Sequence, residues 1–396
     1  MYPAGHASTG THEIEQLTNF EQIRRVREQW DRFQWYPEAD ADFVPIIMEH
    51  RPEVQGPCVL AARRDGEVEA LLIGRVELSP VARLPGFKTT LQPRLKVLRV
   101  VYGGMLGDWN EGNLDRLLVA LKESLARGDF RAVWFEMLNL QSPLWERSQA
   151  LFPRMCRGCA SAPNLHWTLR LPKSYGDFLK GLDSKTRKNQ KRHVNLLEND
   201  FSHLSVKRFD RVTDLDAIVN TSDRILSKTY QRGFGNAWTS VEMVKRVSLW
   251  LGKGLFTAFF LYANGEARAY QHILRYRGRA FAIGTGCDPG FQRYAVGRYI
   301  QLKALEDLCE SQDASELDFG FGDAEYKREL CNQHCEEADL VLFGLNCSGL
   351  AANAMRTATI KGLQLLKRAL RSAGMFGRIK RAWRESLRKR IDLPKG

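Results

Sequence analysis

Hydrophobic residues recur along this chain at two spacings, one typical of helices and one typical of strands. Residues 20–33 carry apolar side chains at three- and four-residue intervals, which predicts a helix. The apolar runs 58–63 and 68–76 flank Asp65-Gly66, and an Asp-Gly pair between such runs predicts a β-hairpin. Two further strands, 95–102 and 132–137, are predicted on either side of a helix at 114–125.

The second half of the chain also contains predicted strands and helices in turn. A strand is predicted at 165–171, followed by a helical stretch at 175–199 that pauses at Asp183-Ser184. The remaining predicted strands are 203–209, 255–262, 267–276, 279–285, 316–319 and 340–345, and the remaining helices are 215–229, 241–251 and 292–309.

The two halves contain a repeat. Residues 59–76 align with residues 258–275, which places Asp65-Gly66 and Asn264-Gly265 at equivalent turns. Each hairpin leads to another strand, a helix and a short buried strand. Two copies of one mixed α/β unit therefore account for the length of 396 residues.

Composition narrows the class of protein. The hydrophobic fraction of 44% and the charged fraction of 27% are those of a globular protein, and exclude a disordered, collagenous or integral membrane chain. Residues 1–11 lack the basic and apolar regions of a secretory signal, so the cytoplasm is the expected compartment.

The positive charge is concentrated in one segment. Residues 351–396 hold 13 Lys/Arg against 2 Asp/Glu, whereas the rest of the chain is nearly neutral. This basic helical tail has an apolar stripe in residues 375–396 that includes Trp383, a pattern that favours the surface of an anionic membrane. Nucleic-acid contact and disorder are the alternatives.

The cysteines allow two interpretations. Cys156 and Cys159 lie three residues apart, and Cys331, His334 and Cys335 form a second group. Together they could supply the four ligands of a zinc site, but the intervals match no zinc module, and reduced structural thiols are preferred. No metal is expected, and no G-x-S-x-G nucleophile motif is present.

Three stretches, residues 165–192, 288–307 and 317–330, resemble one family. The last contains Asp-Phe-Gly-Phe-Gly-Asp followed by Tyr326-Lys327. The chain resembles the GNAT acyltransferases of the CelD, or cellulose-biosynthesis, type, and its duplication resembles that of the Fem-type transferases. The resemblance implies two tandem GNAT-like domains and acyl-CoA as co-substrate. It also implies an envelope or exopolysaccharide setting.

The domain boundaries follow from the repeat. We expect an N-terminal GNAT-like domain at 14–172 that shapes the acceptor side, and a basic helical connector at 173–202. A catalytic GNAT-like domain is expected at 203–346, followed by the tail at 351–396. In the first copy the Gly-rich stretch 103–108 ends in an acidic segment, so we expect only the second copy to bind an acyl carrier.

The segment before the helix at 292–309 is the candidate donor site. Backbone N–H groups at a helix N-terminus favour an anion such as a pyrophosphate. The coenzyme A loop of the superfamily reads Q/R-x-x-G-x-G/A, and one glycine remains here. The candidate donor-binding residues are Gln292, Arg293, Val296, Gly297 and Arg298.

The candidate catalytic residues lie in the second copy. Asp318 or Asp323 could accept a proton, Tyr326 could return one to a leaving thiolate, and Lys327 could hold an anionic acceptor. His272 is a candidate base in mid-strand, with a structural histidine as the preferred alternative. Helix capping by Asp323 and a solvated Lys327 are the alternatives for those two residues.

Four residues are candidates for contact with the acceptor. Arg187 and Lys191 lie one helical turn apart on the basic connector, and Tyr230 and Arg232 lie in the loop after the 215–229 helix. Solvated surface positions are the alternative for all four. A ridge of this kind suits phosphates of an acceptor, a lipid headgroup or a tRNA.

The predicted function is transfer of an acyl group from acyl-CoA to an amine or hydroxyl by direct attack. The expected acceptor is a sugar, a lipid precursor or another small molecule. A Fem-like transferase that uses aminoacyl-tRNA is the alternative. A non-catalytic scaffold at the membrane is the third hypothesis.

Overall fold

A computed structural model of the protein describes residues 11–82, 93–158, 163–229 and 237–372. Contacts within the chain define two units, Met1–Pro163 with Glu337–Gln364 and Asn164–Glu336 with Leu365–Gly396. Among the described residues no helix is long and apolar enough to cross a membrane. The predicted domain boundaries stay a prediction.

Unit 1 is built on one mixed sheet. Its strands are β1 (His12–Leu17), β2 (Val54–Arg64), β3 (Glu67–Pro80), β4 (Arg94–Gly107), β5 (Ala132–Asn139) and most of β12 (Gln333–Phe343). Its helices are α1 (Phe20–Arg24), α2 (Arg27–Phe33), α3 (Phe43–His50), α4 (Glu111–Arg127), α5 (Pro143–Leu151) and most of α12 (Cys347–Ser372). Strands β1 to β4 are antiparallel neighbours, β4 pairs with β5 in parallel, and β12 pairs with β5 in antiparallel.

Unit 2 repeats this plan. Its strands are β6 (Asn164–Arg170), β7 (Leu204–Phe209), β8 (Phe256–Ala263), β9 (Glu266–Tyr276), β10 (Arg279–Cys287) and β11 (Glu316–Phe321). Its helices are α6 (Tyr175–Gly181), α7 (Ser184–Asp200), α8 (Leu215–Ser227), α9 (Val241–Gly252), α10 (Val296–Ser311) and α11 (Glu325–Leu330). Strands β7 to β10 are antiparallel neighbours, β10 pairs with β11 in parallel, and β6 pairs with β11 in antiparallel.

The predicted repeat is confirmed at the level of single turns. Asp65 and Gly66 have φ values of 50° and 85°, and Asn264 and Gly265 have 51° and 82°. Positive φ at both central residues is the requirement of the tight hairpin turn that the two dipeptides predict. Both sheets then pass from an antiparallel meander to one parallel pair.

Each unit has its own core. In unit 2 the apolar face of α10 packs on the sheet, and Ile300, Leu305 and Leu308 are fully buried. In unit 1 α4 does the same through Leu117, Leu118 and neighbouring leucines. The helix spacing of these residues explains why both helices could be predicted.

Some predicted boundaries were wrong. The helix predicted at 20–33 is two helices, because Val26 leaves the helical conformation. The helix predicted at 292–309 begins at Val296, since residues Pro289–Tyr294 form a 3-10 turn. The pause at Asp183 is confirmed: its side chain accepts a hydrogen bond from the Thr186 N–H and starts α7. The tail segment 375–396 lies outside the described residues.

Candidate functional site

The two parallel strands of unit 2 separate soon after they meet. Strands β10 and β11 pair at Ala280 with Leu317 and at Phe281 with Asp318. Beyond this point β10 continues to Cys287, and β11 turns through an irregularity between Asp318 and Gly320. We call the opening between the diverging strands the β10–β11 cleft. It lies at the carboxyl ends of the two strands, where α/β sheets bind ligands.

Helix α10 begins beside this cleft in an unusual way. Its N-cap is Ala295, which has φ 50° and ψ 40° and offers no side-chain cap to the first turn. Counted from Gln292, Ala295 occupies the place of the first glycine of the Q-x-x-G-x-G pattern and Gly297 that of the second. The chain therefore adopts the left-handed conformation that this glycine would supply, with an alanine instead.

The equivalent helix of unit 1 is capped by its own residues. The side chain of Asn110 accepts a hydrogen bond from the Asn113 N–H at 3.0 Å, and Asp108 and Glu111 add negative charge beside it. A capped and acidic helix N-terminus repels an anion, whereas the N-terminus of α10 has no side-chain cap.

The other candidate donor-binding residues have different surroundings. Val296 is buried, and a Cβ built on Gly297 would lie 3.5 Å from the Cβ and Sγ of Cys287, which is ordinary contact. Arg298 is ion-paired with Glu329, and burial lowers the pKa of its guanidinium group.

Two more of these candidates are exposed. Gln292 lies on the surface of the 3-10 turn. Arg293 contacts Asp200 at 3.0 Å and stacks on the Tyr294 ring, so its charge is already matched by an acidic neighbour.

Asp318 is buried at the point where β10 and β11 diverge. Its Oδ1 lies 2.7 Å from His166 Nε2 and accepts a hydrogen bond from the Gly320 N–H at 2.6 Å. His166, on β6, is also buried and packs edge-on against Phe321. The pair holds the irregular end of β11 in place.

Lys327 and Asp323 hold the segment that follows β11 in place. Lys327 Nζ is buried and donates to the carbonyl oxygens of Gly320 at 2.9 Å and Phe321 at 2.6 Å, and burial lowers its pKa. Asp323 forms a two-pronged ion pair with Arg328, which lowers the pKa of the Asp323 carboxyl. Both candidates are thus engaged in contacts within the protein.

Tyr326 is half-buried between the end of β11 and helix α10. Its ring lies edge-on to Phe319, with 6.2 Å between centroids, and burial raises the pKa of its hydroxyl. A phenol that stays protonated at neutral pH is a proton donor.

His272 is fully enclosed. Ser222 Oγ donates to the Ile218 carbonyl at 2.7 Å and therefore accepts from His272 Nε2 at 3.0 Å. Its Nδ1 has no hydrogen-bond partner within the described chain, and the ring lies 4.4 Å from that of Trp238. Burial lowers the pKa of His272 to about 3.

The candidate acceptor residues fall into two groups. Arg187 donates to the carbonyl of Lys180 at 3.0 Å, near the end of α6, and Lys191 is exposed on α7. Tyr230 and Arg232 lie outside the described residues.

A groove of about 260 Å³ lies in unit 2 between α7, α10 and α11. Its lining includes Thr186, Gln190 and His193 from α7, Ala295 and Arg298 from α10, and Tyr326 from α11. Burial and the nearby charges of Arg192 and Arg298 lower the pKa of His193, which favours the neutral form of its ring. The groove thus joins the N-terminus of α10 to Tyr326.

Sequence reasoning missed His166 and Gln190. His166 meets Asp318 across 152 positions of sequence, a separation at which periodicity carries no signal. Gln190 lies in a helix whose charges predict a solvated surface, yet it is buried. In the described part of the chain no group of three or more His, Cys, Asp or Glu is placed to hold a metal, and the cysteines there are free. Cys159 lies outside it.

Comparison with known proteins defines the domain type. Residues 184–328 match the family model described as an acetyltransferase (GNAT) domain. This segment is a GNAT-type domain. It contains the β10–β11 cleft, α10 and most of α11. None of the curated proteins matches the chain.

Solved structures are similar over most of the chain. The crystal structure of FemX has a TM-score of 0.56 and 11% identity, and covers 83% of this chain and 97% of its own. The C-terminal domain of a putative lysylphosphatidylglycerol synthetase from Agrobacterium fabrum has a TM-score of 0.50 and 11% identity, with 85% and 96% covered. At these identities the likeness concerns the fold. Together with the internal repeat, it defines a tandem GNAT-like α/β fold.

Proposed function

We propose that the protein is an acyltransferase that moves an acyl group from acyl-CoA to an amine or hydroxyl of its acceptor. The observation that carries the proposal is the N-terminus of α10, which follows a left-handed Ala295, has no side-chain cap and lies beside the β10–β11 cleft. Helix N-terminal N–H groups bind the pyrophosphate of such a donor without further charge. Acyl-CoA supplies an activated thioester.

The residues of unit 2 fit this donor. Gly297 leaves the first turn of α10 without a side chain, and Arg298, in its ion pair with Glu329, lines the groove beside it. Gln292, Arg293 and Val296 complete the proposed donor-binding segment. Unit 1 has a capped, acidic helix at the equivalent position, which supports a role for that unit on the acceptor side.

We assign the proposed catalytic roles from the burial of each side chain and from whether it lines the groove. Tyr326 donates a proton to the departing thiolate, since it lines the groove and stays protonated. Asp318 holds the end of β11 together with His166, and Lys327 fixes the same segment through two carbonyls. Asp323, paired with Arg328, and the enclosed His272 are assigned structural roles.

The acceptor is proposed from the resemblance to CelD-type enzymes and from the basic connector. A sugar, a lipid precursor or another small molecule with an amine or hydroxyl is the proposed class, with Arg187, Lys191, Tyr230 and Arg232 as candidate contacts. Association of residues 375–396 with an anionic membrane is a separate proposal, to be tested by sedimentation with anionic vesicles with and without that segment.

The experiment is thermal unfolding against acetyl-CoA, longer acyl-CoAs, free CoA and aminoacyl-tRNA. A ligand that binds only the folded state raises the melting midpoint. We expect an upward shift with CoA species that is lost in Gly297→Trp. It should be kept in Gly362→Trp, the same change at a helical glycine with open space around it. No shift with any CoA species would refute the proposal.

A transferase that uses aminoacyl-tRNA is the second candidate. It is favoured by the row of basic residues exposed on α7, which includes Lys188 and Lys191, and by the fold shared with FemX. Binding of tRNA that weakens steeply between 50 and 200 mM salt, with no response to CoA, would support it. A protein that binds neither donor but binds vesicles would support a scaffold role.

A further inference from the structure

The first part of helix α12 is held firmly on unit 1. Asn353 and Arg356 are both buried. Asn353 donates to the carbonyl oxygens of Met155 at 2.7 Å and of Arg157 at 3.1 Å. The guanidinium carbon of Arg356 lies 4.6 Å from the centroid of the Trp134 ring. These contacts fix the direction in which the rest of the helix leaves this attachment.

The rest of α12 is not covered by the protein. After Arg356, no residue of the helix whose side chain the structure describes is buried. Leu365 is 63% exposed and Leu366 is 51% exposed, although leucine is one of the residues most often found in a protein interior. Neighbouring apolar side chains that stay in water are typical of a surface that binds a partner.

The apolar residues of this part of α12 form a stripe along one side of the helix. We call them the α12 stripe; at intervals of three and four residues, they are Ile360, Leu363, Leu366 and Leu370. Residues at these intervals share one side of a helix. Leu365 belongs to another side, which it shares by the same spacing with the exposed Lys361 and Arg368. This part of α12 is therefore amphipathic.

The same part of the helix is strongly basic. Residues 357–372 contain four Lys/Arg and no Asp/Glu. A helix with leucines on one side and Lys/Arg on the other binds in the plane of a membrane surface. Its apolar side enters the boundary between headgroups and acyl chains, and its cations are attracted by anionic lipids.

Other partners match only one of these two properties. A second copy of α12 would cover the leucines but would bring two basic segments together, and like charges repel. A nucleic acid would neutralise the basic residues but would leave the leucines in water. An anionic membrane satisfies both the apolar side and the basic side.

We propose that the α12 stripe docks on the surface of an anionic membrane. Because the first part of the helix is fixed to unit 1, this contact ties unit 1 to the bilayer. The inference goes beyond the proposed function and does not depend on which donor the protein uses. It is also distinct from the proposal for residues 375–396, since a different segment makes the contact.

The test is sedimentation of the full chain with vesicles of mixed phosphatidylglycerol and phosphatidylcholine. The native protein should bind, and its binding should be at least about tenfold weaker with phosphatidylcholine alone, because the basic residues gain only from anionic lipid. Leu366→Gln should weaken binding to the mixed vesicles about fivefold, since the exposed half of this leucine no longer enters the membrane. Residues 375–396 are present in every protein compared, so the difference reports on α12.

The matched control is Leu365→Gln, the same change at the neighbouring leucine. Leu365 is the more exposed of the two, but it lies outside the α12 stripe. This variant should bind the mixed vesicles within about twofold of the native protein. Without lipid, both variants should keep the native melting midpoint, because both side chains are exposed.

Four results would overturn the inference. One is a native protein that does not bind the mixed vesicles. Another is an equal effect, or no effect, of Leu366→Gln and Leu365→Gln, which would leave residues 375–396 as the only membrane contact. A lower melting midpoint in Leu366→Gln alone would show that the stripe packs on the protein itself. A dimer that Leu366→Gln converts to a monomer in sedimentation velocity would assign the stripe to a second copy of the chain.

Discussion

The buried, neutral His272 should make the stability of the protein strongly dependent on pH. Its ring is 0% exposed, and its pKa is lowered from 6.5 to about 3. Between these two values the unfolded chain binds a proton that the folded chain does not bind. Stability from this group is therefore fully present above pH 6.5 and is lost as the pH falls toward 3.

The magnitude follows from the two pKa values. Each unit of pKa difference corresponds to about 1.4 kcal/mol, so a fall from pH 7.5 to pH 5 should remove about 2 kcal/mol of unfolding free energy through His272 alone. This is a measurable part of the roughly 5–15 kcal/mol typical of a folded domain.

The assay is urea unfolding followed by tryptophan fluorescence at both pH values. In His272→Gln the carboxamide can still donate to Ser222 but does not titrate, so the pH-linked loss should shrink by about 2 kcal/mol. His203→Gln, at an exposed histidine, should keep the full loss of the native protein. Comparing pH values within each variant cancels any cost of the replacement that does not depend on pH.

If unfolding free energy fell equally between pH 7.5 and pH 5 in the native protein and in His272→Gln, the reasoning would be refuted. It would mean that His272 takes up protons in the folded state as readily as in water. The ring would then be accessible, and its assignment as a general base would regain support.

Three further predictions concern unit 2. Ala295→Gly should raise the unfolding free energy in urea by about 1 kcal/mol, because glycine adopts the left-handed conformation without strain; no gain would contradict the strain. Tyr326→Phe should lower kcat by about 100-fold or more with little change in KM for the donor, since proton donation contributes at least this factor. An unchanged kcat would exclude Tyr326 as the proton donor. His166→Leu should lower the melting midpoint, at a cost of about 1–3 kcal/mol, because Asp318 is buried and loses a hydrogen-bond partner; the exposed control His203→Leu should have little effect.

Much of the fold could be predicted because its signals are local. The turns at Asp65-Gly66 and Asn264-Gly265 need positive φ at both residues, and Asp-Gly and Asn-Gly are dipeptides that adopt this conformation readily. Helix α10 could be predicted from the spacing of its buried leucines. Strand β1 gave no such signal, because most of its residues, His12–Leu17, are polar and its placement depends on pairing with β2.

The candidate site was predictable only in part. The segment around Gly297 and Tyr326 could be found from motifs, since its chemistry is contiguous in sequence. The engagement of Asp323 by Arg328 and of Lys327 by two carbonyls depends on how the chain turns after β11. The burial of Gln190 depends on packing between helices that a charge pattern does not encode.

Strand β12 has a consequence for synthesis on the ribosome. It closes the sheet of unit 1 against β5, yet 193 residues separate Asn139, the end of β5, from Gln333, the start of β12. At about 5–20 residues per second, the nascent chain carries an open β5 edge for roughly 10–40 s. The sheet of unit 1 is therefore begun before the sheet of unit 2 and completed after it.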